Sequence, residues 1–274
     1  MDLNLPNEFA DTHCHLNFPE FDLDRQLIIE RAIKNGITRI LIPGIDIDSS
    51  QTAIYYSQQY PMVYAAVGIH PNSGESWTEN SITELSRLAE NQKVVAIGEI
   101  GLDYYRKFTA KNLQLEIFTK QLQLAKKLEL PVIIHNREAS KDILDLVQRW
   151  YQELIDDNMS LANNPGVMHS FSDDFKVAEQ FIKLGFKIGI TGPITFRNAE
   201  LLREVVKKQE LENILLETDA PYLTPHPFRG KRNEPANVKI IAEKIAEIKN
   251  RSITDVAQIT SDGGNQLFNW RISR

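Results

Sequence analysis

The sequence predicts an α/β chain folded as a single (β/α)8 barrel of the TIM type, and three observations predict it. Eight short runs rich in apolar and β-branched residues alternate with helical patterns. Their carboxyl ends recur at steps of 31, 26, 29, 36, 34, 23 and 27 residues, counted from His13 through Gly44, His70, Glu99, His135, His169 and Gly192 to Asp219; a βα unit takes about 30. Five of the six histidines stand at such ends, the rim where barrels of this kind build their active sites.

Taken in order, the runs are 9–13, 37–44, 63–70, 94–103, 131–137, 166–171, 186–192 and 214–220. Asn35-Gly36 closes the first helical pattern before the second run. Apolar residues three and four apart mark a helix over 113–128, which Leu130-Pro131 ends, and Leu184-Gly185 closes another before Phe186. The stretch 150–165, with Asp156, Asp157, Asn158, Asn163 and Asn164, reads as a surface excursion. From about Glu234 onward a helical tail is expected. No Pro-, Gly- or Ser-rich linker divides the chain, so residues 1–274 are read as one domain, and no G-x-G-x-x-G follows the first run as a doubly wound sheet would have it.

Composition narrows the function classes. Apolar residues make up 42% and charged residues 25%, so burial can drive folding. There is no basic leader and no run of eighteen apolar residues, and the only cysteine, Cys14, has no partner for a disulfide; a cytoplasmic location, no membrane contact and a monomer are expected. Thirty-one Lys and Arg against 37 Asp and Glu give a charge of −6, which disfavours wrapping duplex DNA but leaves room for a few nucleotides gripped at a metal site.

The site candidates follow from parity. His13 and His15 are two apart on an extended strand, so both imidazoles face one side while Cys14 faces the other, as a small buried hydrophobe. Glu99 and Asp219 each end an apolar run with a charge that is costly unless paired. With His135 and His169 these make six donors, more than one four-coordinate ion needs, which points to two divalent metals among zinc, manganese and magnesium. Glu217 shares the parity of Asp219 and is read as an acceptor for a ligating histidine.

The motifs DTHCH, GIHP, GEIGLDYY, LPVIIHNR, MHSFS, GPITFRNA, ETDAPYLTP and RGKRNEP, in this order along nearly the whole chain, resemble the TatD-type metal-dependent deoxyribonucleases of the amidohydrolase superfamily. The resemblance implies a barrel hydrolase with His13 and His15 on one metal, His135 and His169 on the other, Glu99 as bridge, and Asp219 as a further ligand or catalytic base. It also implies that His70 and Arg137 bind the scissile phosphate and that Tyr104, Arg229 and Asn233 line the substrate side. Glu99 stands where other branches carry a bridging carboxylated lysine, which argues against a phosphotriesterase-type member. One departure is the pair Gly263-Gly264, where a break in the final helix is expected.

The reaction expected is phosphodiester hydrolysis of DNA, single-stranded or end-wise, by water activated between two metals. A rival keeps the site and changes the bond to an ester, such as an aminoacyl-tRNA linkage, or a cyclic amide. A purely structural metal site ranks third, because ligands drawn from five strands around a cleft leave positions open for water.

Overall fold

The second half of each βα unit is amphipathic, and that is what wraps the strands. Ile143, Val147, Trp150 and Leu154, for example, recur every turn on one helix and are all buried, so that face packs on the sheet. In the computed structural model, which describes residues 7–270, strands and α-helices alternate from β1 to α8, and a further helix, α9, follows. They are β1 (Phe9–Asp11), α1 (Arg25–Lys34), β2 (Ile37–Pro43), α2 (Ile47–Gln59), β3 (Val63–Val67), α3 (Ser81–Leu88), β4 (Val94–Asp103) and α4 (Lys111–Leu128). The second half runs β5 (Val132–Arg137), α5 (Ser140–Asp156), β6 (Gly166–Met168), α6 (Phe175–Lys183), β7 (Lys187–Ile190), α7 (Glu200–Lys208), β8 (Ile214–Leu216), α8 (Val238–Lys249) and α9 (Ile253–Phe268).

The strands pair in parallel in sequence order. Beyond the ladder, Thr12 N–H donates to Leu216 O at 3.0 Å and His15 N–H to Ala220 O at 2.8 Å, which joins the last strand to the first. The (β/α)8 barrel is therefore present as the spacing predicts. Apart from β4, its strands are shorter than the apolar runs, so most of the rim residues lie past the last ladder bond, on backbone held by loops.

Two expectations are corrected. The stretch 150–165 is not wholly an excursion, because α5 continues to Asp156; Asp156 and Asp157 lie on the exposed end of a helix whose inner face is apolar, while Asn163 and Asn164 lie at a 3-10 turn beyond it. Nor does Gly263-Gly264 break α9, which is continuous through both. The pair is buried against β8 and β1, where a Cβ at Gly263 would lie 3.4 Å from Leu215 and one at Gly264 3.6 Å from Thr12. A methyl group would make only ordinary contacts there, so it is burial of this helix face against the barrel that outweighs a propensity cost of about 1 kcal/mol per glycine.

The end of α9 closes the barrel floor. Leu267, Phe268 and Trp270 pack on Ala10, Leu41, Tyr64, Val95, Ile133, Val167 and Leu215, the interior residues near the strand starts. Trp270 meets Tyr64 at 5.0 Å between ring centroids and Phe268 at 5.4 Å. No helix among the described residues is long and apolar enough to cross a membrane.

Candidate metal centre

Past β1 the chain stays extended, because Cys14 forms a parallel bridge with Ala220. His13 and His15 accordingly face the same way, with their Nε2 atoms 3.3 Å apart, and Cys14 is fully buried on the other side. Glu99 arrives by a different device. Between Ile97 and Ile100, β4 carries one residue more than its partner β5 does between Val132 and Ile134, and this bulge turns Glu99 into the barrel. Asp219 sits in a left-handed turn (φ 54°) whose N–H donates to His13 O at 2.9 Å, so the first and last strands hold it jointly.

The six residues converge. Glu99 Oε2 lies 3.3 Å from His13 Nε2 and 3.6 Å from His15 Nε2, while Oε1 lies 2.9 Å from His135 Nδ1 and 3.6 Å from His70 Nε2. Asp219 Oδ1 lies 3.5 Å from His15 Nε2 and 3.6 Å from His169 Nε2. Three overlapping groups have the closeness that a cation needs: His13, His15 and Asp219; His13, Glu99 and His169; and His70, Glu99 and His135. Imidazole nitrogens facing each other beside two carboxylates form a donor set of mixed N and O type that fits a borderline divalent ion. His135 and His169 fall in different groups here, joined through Glu99.

Partners outside this ring orient it. His169 Nδ1 lies 2.8 Å from Glu217 Oε2, which also accepts from Ser170 N–H at 2.9 Å. Glu217 is fully buried, and β7 makes room for its carboxylate by having Gly189 where any side chain would overlap it. His135 Nε2 lies 3.4 Å from Asp103 Oδ2. Of these partners the parity of Glu217 with Asp219 is the one signal readable in sequence.

Electrostatics in the metal-free chain follow burial and pairing. Burial, then the neighbouring His135, lowers the His70 pKa to about 3, and burial with His169 lowers that of His13. Burial works against the charge of His169, yet Glu217 and Asp219 hold it well above the usual histidine value. Burial likewise opposes the charge of Asp219, and hydrogen bonds from His15 and His169 prevail, holding its carboxyl well below the usual range.

Asp11 goes the other way. Burial, only partly offset by hydrogen bonds with Thr218, raises its pKa to about 8 from 3.8; Oδ1 accepts Thr218 N–H at 2.9 Å and Oδ2 lies 2.5 Å from Thr218 Oγ1. A raised carboxyl is bound as the neutral acid, so its contribution to stability is complete below about pH 4 and is lost as pH climbs through about 8. Asparagine mimics the neutral acid without titrating. In chelator-treated protein, Asp11→Asn is therefore expected to gain thermal midpoint over wild type progressively from pH 5 to pH 8, read by calorimetry. A constant difference across that range would show Asp11 ionised throughout.

The residues expected on the substrate side divide. His70 Nδ1 accepts Asn72 N–H at 3.0 Å, so in the neutral ring Nε2 carries the proton and faces the cluster as a donor. Arg137 lies exposed at the end of β5, 5.0 Å over the Tyr105 ring, and Arg229 lies 4.4 Å over Phe196 in an exposed loop. Tyr104 donates its hydroxyl to Asp142 at 2.7 Å, fixing the β4 loop to α5. Asn233 is fully buried; its Nδ2 donates to Thr218 O at 2.9 Å and Tyr222 O at 2.7 Å, on either side of Asp219. The structure does not bring the polar groups of Tyr104 and Asn233 to the histidine cluster.

Comparison with known proteins places the chain in a family. The family model described as TatD related DNase matches residues 10–269. An uncharacterized metal-dependent hydrolase of Bacillus subtilis, YabD, is 41% identical over 94% of this chain and 98% of its own length. A protein of Pantoea sp. named 3′-5′ ssDNA/RNA exonuclease TatD is 34% identical over 94% of this chain and 98% of its own. The crystal structure of YjjV, a TatD homologue from Escherichia coli K12, superposes with a TM-score of 0.89 at 32% identity, covering 97% of this chain and 99% of that one.

Proposed function

This chain belongs to the TatD-related DNase family and is a metal-dependent hydrolase, and from that premise we propose that it cleaves phosphodiester bonds of DNA, at single strands or strand ends. The ligands are His13, His15, Glu99, His135, His169 and Asp219, holding two divalent cations of the Mg, Mn or Zn kind. The observation that carries the reading is the division of Glu99, one oxygen toward His13 and His15 and the other toward His135 and His70.

When bound, such a pair supplies an activated water and neutralises phosphoryl charge. The chain's own groups do the rest. Asp219, whose Oδ1 faces His15 and His169, accepts the proton of the attacking water. His70 donates from Nε2–H to a phosphoryl oxygen as charge builds on it, and its low pKa keeps the ring neutral with Nδ1 on Asn72. Arg137 and Arg229 grip flanking phosphates from the rim. Tyr104 and Asn233 serve the substrate side by fixing the loops around it. Tyr105 and Tyr222, 59% and 51% exposed, offer ring faces for unpaired bases, which favours single strands.

The test is direct. Protein purified without chelator is expected to carry two divalent ions per chain and to degrade an end-labelled single-stranded oligonucleotide faster than its duplex. EDTA is expected to stop the reaction and added metal to restore it. DNA left intact by fully metallated protein would move the scissile bond to an ester, such as an aminoacyl-tRNA linkage, or an amide.

A further inference from the structure

The bulge that delivers Glu99 leaves a gap in its neighbour. Ladder pairing between β3 and β4 ends at Val67 and Ile97, and Glu99 N–H goes instead to Gly44 O, 2.8 Å away at the end of β2. Gly68 and Ile69 thus run on, fully buried, past the last strand pairing on that side. Buried backbone groups left unpaired are expensive, and here the surrounding helices pair them.

Ser50 Oγ of α2 accepts Gly68 N–H at 3.2 Å. Gln121 of α4, with no exposed surface, accepts Ile69 N–H at 2.7 Å through Oε1 and donates through Nε2 to Ile69 O at 2.9 Å. Its amide replaces the absent strand. Two turns earlier on the same face, Gln114 accepts Asp103 N–H at 2.9 Å and donates to Asp103 O at 3.0 Å.

The residues so clamped adjoin the site. Ile69 precedes His70, whose Nδ1 is held by Asn72 N–H; Asn72 Nδ2 donates to Asp103 Oδ2 at 2.8 Å, and that oxygen faces His135 Nε2. We propose that Gln121 is a positioning residue for hydrolysis, fixing the backbone of Ile69 so that His70 keeps its Nδ1 on Asn72 and its Nε2–H toward the reacting phosphate. Gln114 anchors the other end of the same chain at Asp103. The role rests on the phosphodiester reading through His70.

Gln121→Met keeps the length of the side chain and removes both hydrogen bonds. With bis(p-nitrophenyl) phosphate as substrate, kcat/KM is expected to fall about 10- to 100-fold at unchanged metal content, the scale seen when an orienting partner is lost. In a His70→Ala background the same change should cost less than about twofold, because the residue it positions is already gone. A lowered thermal midpoint with unchanged kcat/KM, or full losses that multiply in the double variant, would overturn the role. Nitrogen-15 spectra of chelated protein give a readout independent of turnover: His70 is expected as the single Nε2–H tautomer in wild type and as a mixture in Gln121→Met. An unchanged tautomer also overturns the role. If wild type hydrolyses no phosphodiester, the reading of the reaction fails by itself and the tautomer still decides the positioning. Should Gln121→Met not fold, Gln121→Asn, one methylene too short to reach both backbone atoms, carries the same measurements.

Discussion

Glu99→Gln is expected to lose at least one metal equivalent and to lower kcat/KM by more than about 100-fold, since losing even an orienting partner costs about 10- to 100-fold. The side chain is 3% exposed and its two oxygens serve different histidines, His13 and His15 through Oε2, His135 and His70 through Oε1. Glutamine fills the same space but turns one oxygen into an amide nitrogen that offers no lone pair. Whichever way the amide settles, one side of the cluster loses its link. Elemental analysis beside the rate is decisive: full metal content in the variant would remove Glu99 from the role of bridge.

Trp270→Ala is expected to lower stability by about 3–5 kcal/mol, the usual range for truncating a buried aromatic, and the thermal midpoint by roughly 10 °C. Trp270 is 5% exposed between Tyr64 and Phe268 on the barrel floor, the end away from the histidines. At a temperature where the variant is folded, its metal content and kcat/KM should equal those of wild type. A fall in either would tie the floor to the rim.

The sequence carried what depends on short-range periodicity. His13 and His15 were legible because a two-residue step on an extended segment needs no knowledge of the rest of the chain, and the strand ends were legible because each βα unit repeats the same length. What it hid depends on distant approach. Gly189 matters for the carboxylate of Glu217, 28 positions on, and an absent side chain announces nothing. Gln121 looks like any polar helix residue until the Glu99 bulge leaves Ile69 past the end of its ladder. The stretch 150–165 misled for a related reason: its polar composition masks the apolar face formed by Trp150 and Leu154 with residues a turn or more earlier. Gly263-Gly264 reads as a breaker locally and is an inward packing face in the fold.

Packed inside by side chains such as Leu41, Tyr64, Ile133 and Leu215 and covered below by Leu267, Phe268 and Trp270, the barrel leaves the histidine cluster reachable from the rim alone. A polymer cannot thread through it, so on the phosphodiester reading a strand must present an end or a bent segment and back out by the way it entered. On the same reading, product and incoming substrate would share that passage, and the released nucleotide would compete with the next strand for the same cations and the same His70. Turnover would then depend on exchange at the rim as well as on the bond broken there.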